Sequence, residues 1–261
     1  MKGFVAALWV EGLKARRSRV PPLTAGAISL GPLVGGLFMV ILKDPERAQS
    51  MGLLSQKAQL VGVADWPTYL DLIAQIAGVG GLLVFAFAMA WAFGRESADR
   101  TAKEWFAVPT SRGTVVAAKF VVVAVWVAAL AALLLLLGFA IGAAVGLPGW
   151  SPALGWRGAA NIAAAGGLTF AVGTPVAFFA SAGRGYLAGL GWALLTLVLA
   201  QVAGALGWGG WFPWSVPALF AEVAGERVEQ VGPHSYVAVA LACAAGVAAT
   251  VWWWRHADHT R

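Results

Sequence analysis

Residues 93–119 read FGRESADRTAKEWFAVPTSRGTVVAAK, and the character of the chain on either side decides what this stretch is. Leu72 to Ala92 before it and Phe120 to Ala144 after it carry no charged side chain. Inside it lie Arg95, Glu96, Asp99, Arg100, Lys103, Glu104, Arg112 and Lys119. A charge at the centre of a membrane helix costs about 2.5–3.5 kcal/mol even on the mildest scale. The sequence therefore predicts that the stretch lies in water and joins two membrane-spanning helices. Its middle is expected to form a short helix, ended near Pro109 because proline disfavours helix at the residue before it. Trp105 and Phe106, set among charges, mark it as a docking surface rather than a linker.

Composition agrees. The 261 residues are 60% hydrophobic and only 11% charged, with a mean hydropathy of +0.76. Soluble domains carry about 25% charged residues, so this is an integral membrane protein. The net charge of +6 reads as cytoplasmic loops facing anionic lipid and gives no argument for nucleic acid. The single Cys243 excludes an intrachain disulfide and a multi-cysteine metal site. No cleavable signal peptide is expected, because the apolar run Phe4–Val10 is short and a basic cluster follows it.

Outward from the charged stretch, the fold class predicted is an all-α membrane protein with six transmembrane helices and a single domain, residues 1–261. Its first part, residues 1–19, reads as an interfacial helix. Phe4, Val5, Leu8, Trp9 and Leu13 share one helical face, Glu11 and Lys14 lie off it, and Arg16, Arg17 and Arg19 follow. Trp9, Lys14, Arg16, Arg17 and Arg19 are the expected membrane-interface contacts. Spans are placed near Val20–Leu42, Tyr69–Phe93, Thr114–Val145, Gly158–Ser181, Tyr186–Leu206 and Tyr236–Trp254. Pro21, Pro22, Pro32 and Pro175 predict kinks. The third span exceeds a crossing and is expected to tilt, or to run into water at its Lys119 end.

Loop charges give the orientation. Five basic residues and one acid precede the first span, and five basic and three acidic residues occupy the charged stretch. The segment 207–235, expected as an outer loop, has Arg227 against Glu222, Glu226 and Glu229. Both termini and residues 95–112 are therefore predicted on the cytoplasmic side of the cell membrane. Trp208, Trp211 and Trp214 read as an outer aromatic belt, and Trp252, Trp253 and Trp254 as an inner one.

Catalytic and metal chemistry finds little purchase. His256 and His259 flank Asp258 but sit in the last residues, and Ser181 and His234 are expected at opposite membrane faces. The span interiors offer Gln75, Asn161 and Gln201 in place of charges, with Asp71 near a span end. No G-x-x-x-x-G-K-[ST] motif is present, so energy for uphill movement has to come from another polypeptide. The expectation is a chain that is not itself an enzyme and binds no cofactor.

Two segments then carry a resemblance. WVEGLKARRSR, with Glu11, Lys14, Arg17 and Ser18, resembles the E-x-x-K-x-x-R-S opening of ABC-2-type exporter permeases. The charged stretch resembles their R-E…T-x-K…L-x-x-P-x-S-R…K block through Arg95, Glu96, Thr101, Lys103, Pro109, Ser111, Arg112 and Lys119, with Phe106 where the family often has Leu and Arg100 where it often has a small residue. The bacitracin and lantibiotic-efflux branch is the nearest in kind. The resemblance implies a permease subunit, paired with a second copy and powered by separate ABC ATPase subunits that carry ATP and Mg. It implies that residues 95–112 form a cytoplasmic coupling helix seated on the ATPase, with Arg95, Glu96, Asp99, Thr101, Lys103, Glu104, Trp105, Phe106 and Arg112 as its contacts. It also implies an amphiphilic cargo, such as a peptide antibiotic, a drug or a lipid-like molecule. The alternative is a membrane anchor or signalling component that moves nothing.

Overall fold

A chain in hydrocarbon has no water to satisfy its peptide groups, and a helix satisfies them within one segment. The computed structural model describes residues 2–44, 63–99, 110–221 and 231–257, and these are helical almost throughout. Helix α1 spans Lys2–Arg17 and α2 spans Val20–Lys43. A second crossing is built from α3 (Trp66–Gln75), a π-helical turn (Ile76–Gly80) and α4 (Gly81–Ala98). Then come α5 (Arg112–Val145), α6 (Pro152–Gly173), α7 (Pro175–Ala182), α8 (Tyr186–Ala205), α9 (Val216–Ala221) and α10 (Pro233–His256). Six stretches are long and apolar enough to cross a membrane: Val20–Lys43, Trp66–Ala98, Arg112–Val145, Pro152–Ala182, Tyr186–Ala205 and Pro233–His256.

Each expected span is present, and the prolines take different parts. Pro21 and Pro22 occupy the first turn of α2, where a missing N–H costs nothing. Pro32 lies inside α2, which continues through it, and its carbonyl accepts the Tyr69 hydroxyl at 3.1 Å. Pro175 starts α7 after Thr174, whose Oγ1 donates to the Ala171 and Cys243 carbonyls at 2.9 and 3.1 Å.

The two ends of the bundle are pinned by different contacts. At one end the Lys43 ammonium donates to the carbonyls of Val145 and Gly146, closing the C-terminus of α5, and the Trp66 amide donates to Pro148. The opposite end gathers α1, the end of α4, the start of α5 and the end of α10. There Arg112 donates to the carbonyls of Trp254 and Ala257 at 3.2 and 3.4 Å. Gly94 of α4 lies so close to Gly185 that a Cβ would sit 2.8 Å from that residue's carbonyl carbon. The first and last described helices thus end on the same face of the bundle.

Two expectations are corrected. Residues 207–235 are not simply an outer loop. Their described part forms 3₁₀ turns at Gly209–Trp211 and Pro213–Ser215 and then α9, with Val216, Leu219 and Ala221 buried. Gly78 in the π turn meets the Pro217 carbonyl, which a Cβ would approach to 2.6 Å. That contact lies roughly 18 Å along the helix from Trp66, at about 1.5 Å per residue. Apolar Val216-Pro217-Ala218-Leu219 can leave water, and Ser215 and Ser235 satisfy backbone carbonyls of Ala200 and Gly210. Trp208 and Trp211 remain exposed, whereas Trp214 turns inward to meet Trp192 edge-on.

The second correction concerns Lys119. Expected in water with the rest of the charged stretch, it is 1% exposed, and the helix that carries it begins at Arg112, close to the expected Thr114.

Candidate functional site

Four charged side chains meet at the α1 end of the bundle. Glu11 and Lys14 come from α1, Glu96 from the last turn of α4, and Lys119 from the second turn of α5. The Lys119 ammonium donates to Glu11 Oε2 at 2.9 Å, to Glu96 Oε1 at 2.5 Å and to the Ala92 carbonyl at 2.8 Å. Lys14 donates to Glu11 Oε1 at 2.7 Å and to Glu96 Oε1 at 3.1 Å. Glu11, Glu96 and Lys119 are buried, while Lys14 keeps partial access to solvent. Two anions face two cations, so the cluster is neutral as a unit. The Lys119 ammonium also lies 6.0 Å from the Phe93 ring centre and 5.7 Å from that of Trp254, within the range of cation–π attraction. Trp254 is fixed in turn by its indole N–H, which donates to Ser181 Oγ at 2.9 Å.

Local sequence explains the placement. Ala7, Glu11 and Ala15 recur every four residues, so they form one stripe along α1, and all three are buried. The small alanines let α1 approach the bundle and bring the Glu11 carboxylate within reach of Lys119. Phe4, Val5, Trp9 and Val10 consequently face outward.

The expected coupling residues divide into three groups. Arg95 and Asp99 remain at the surface, joined by an Nε–Oδ2 contact of 3.1 Å, and the Arg95 guanidinium lies 5.1 Å from the Trp91 ring centre. Glu96 is not presented to water as expected: it is 4% exposed, because its carboxylate is neutralised by Lys14 and Lys119. The second span accordingly continues to Ala98. Arg112 caps α10, as described above. Thr101, Lys103, Glu104, Trp105 and Phe106, and with them the expected short helix, lie outside the described residues. Of the membrane-interface set, Trp9, Arg16, Arg17 and Arg19 are exposed, whereas Lys14 is drawn into the ion cluster.

Glu11 and Lys119 were not expected as partners. Their signal was present, since an acid one turn before Lys14 and a lysine nested among valines and alanines both ask for a buried counter-charge. Among the described residues, no group of three His, Cys, Asp or Glu side chains is placed to hold a metal.

Residues 7–202 match the family described as ABC-2 family transporter protein. The chain belongs to the ABC-2 transporter family. It is a transporter permease subunit and a multi-pass membrane protein. The ABC-2 match includes all four members of the ion cluster and ends within α8, so the inward-folded segment around α9 and helix α10 lie beyond it. The chain is also similar to the bacitracin transport permease protein BCRB of Bacillus licheniformis. The two are 23% identical over 192 residues, covering 73% of this chain and 91% of the relative. No solved structure matches this ABC-2 chain.

Proposed function

We propose that this permease is the membrane part of an ATP-driven exporter, working as a dimer with separate ABC ATPase subunits that bind ATP and Mg. The observation that carries the reading is the family match over residues 7–202, which takes in the whole charged stretch between the second and third spans. The chain itself hydrolyses nothing. Both termini and the charged stretch face the cytoplasm, as the excess of Lys and Arg around them favours. Exposed Arg16, Arg17 and Arg19 rest against anionic lipid. Cargo is an amphiphile, and the name of the B. licheniformis relative makes bacitracin the first to try.

Coupling is carried by residues 95–112, with Trp105 and Phe106 as apolar anchors in a cleft of the ATPase and the neighbouring charges setting partner choice. A desolvated aromatic anchor is worth about 2 kcal/mol or more on truncation, which corresponds to roughly a 30-fold loss of affinity. A Trp105→Ala, Phe106→Ala variant is therefore expected to reach the membrane in normal amount and to lose the co-purifying ATPase. Full ATPase retention by that variant would sink the coupling assignment. Retained ATPase with no cargo movement by the unaltered protein would favour the anchor or signalling reading.

A further inference from the structure

Glu11, Glu96 and Lys119 are the buried charged side chains among the described residues, and stability alone does not account for them. Buried ion pairs commonly hold a fold no better than apolar side chains of the same volume. The hydrogen bonds within them are short in range and sensitive to direction, so they fix geometry. Here three helices are fixed at one point. Apart from Glu11, the fully buried side chains of α1 are Ala7 and Ala15, which have little area to bury. Glu96 stands two residues before Ala98, the last residue of α4, so anything that displaces the charged segment pulls on it directly.

The hydrogen bonding within the cluster is also unequal. Lys14 and Lys119 both donate to Oε1 of Glu96, while its Oε2 is buried and has no partner. A carboxylate accepts through both oxygens, and a buried acceptor left empty is costly. The same groups therefore admit a second arrangement, in which the two ammonium groups divide between the two oxygens. A packed element with two discrete arrangements is what a conformational step can bias.

We propose that this cluster is a two-position link, with Glu96, Lys119 and Glu11 as positioning residues that pass displacement of the charged segment to α5 and α1. The proposal rests on the exporter reading and adds the route by which ATPase motion enters the membrane helices. The test uses proteoliposomes of the full chain with the ABC ATPase that co-purifies with it. The parent carries Cys243→Ala and Ala15→Cys, the latter placing a thiol on the buried face of α1. Its maleimide labelling is expected to change fivefold or more when ATP is added.

In a Glu11→Gln, Lys119→Met background one buried anion and one buried cation are removed together, and Glu96 keeps Lys14 at 3.1 Å. ATPase binding and hydrolysis should stay within twofold of the parent, and the ATP-dependent change in labelling should fall below twofold. An ATP response in that background equal to the parent's would overturn the proposal, as would a parent whose labelling ignores ATP while the ATPase is bound. A parent that retains no ATPase would remove the exporter reading and the proposal with it. Should the double variant fail to accumulate, Glu11→Gln alone is read. Loss of the ATP response there supports the link, and an unchanged response overturns it.

Discussion

Lys119 enters the bundle with three acceptors arranged around its ammonium group, one from each of Glu11, Glu96 and Ala92. Removing only the lysine leaves two carboxylates beside Lys14 and nothing else of opposite charge in the cluster. Breaking one side of such a buried arrangement costs about 3–5 kcal/mol. Lys119→Met is therefore expected to lower the thermal midpoint in detergent sharply. Asp99→Asn removes an exposed pair with Arg95 and should cost less than about 1 kcal/mol. Equal losses in the two variants would show that Lys119 is not held as described. At this scale the charges were legible and their pairing was not. A sequence shows that Glu96 is an acid at the edge of an apolar run; whether it faces water depends on a lysine in the next span and a glutamate in the first helix. Density of charge favoured water, and complementarity across three helices reversed that for Glu96 and Lys119.

Elements were read more completely than residues, because a charge-free run of about 20 residues is a local property. The π turn at Ile76–Gly80 and the inward-folded segment before and within α9 were not read, since each exists through the other. The turn's carbonyls at Ala77 and Gly78 accept the Thr169 hydroxyl at 3.2 and 3.4 Å, and Gly78 leaves the space that Pro217 fills. A side chain at Gly78 would meet backbone, which cannot rotate away. Gly78→Val is expected to displace α9 and to cost about 1–3 kcal/mol. Maleimide labelling at Leu219→Cys, a buried position, should rise in that variant; unchanged labelling would mean that α9 tolerates the added carbons. Trp214 belongs to the same account. Its neighbours Trp208 and Trp211 are exposed, and Trp214 followed α9 inward.

For the whole molecule, the structure places Arg17, Ala98 and Trp254 toward one face and Asp44 and Pro148 toward the other, and the proposed orientation puts the first face in the cytoplasm. In a Cys243→Ala background, Asp44→Cys and Pro148→Cys should label from outside intact cells. Arg17→Cys and Ala98→Cys should label only after permeabilisation. Labelling of Ala98→Cys from outside would invert the orientation and remove the coupling role with it. Cargo was not legible at any scale. The span interiors hold few polar side chains.

The unequal fastening of α5 has a mechanical consequence. Near its Val145 end the helix is held by Lys43, which is exposed, so water can take the place of the carbonyls it binds. Near Lys119 the ammonium group is buried, and no water stands ready to replace its partners. A rod fastened loosely at one end and tightly at the other pivots about the tight fastening. From Lys119 to Val145 the helix is roughly 39 Å long at about 1.5 Å per residue. With Lys119 as fulcrum, a rotation of about 10° sweeps the far tip through roughly 7 Å on that length, while the near end scarcely moves. A small rotation about the fulcrum is thereby turned into a large displacement at the opposite membrane face.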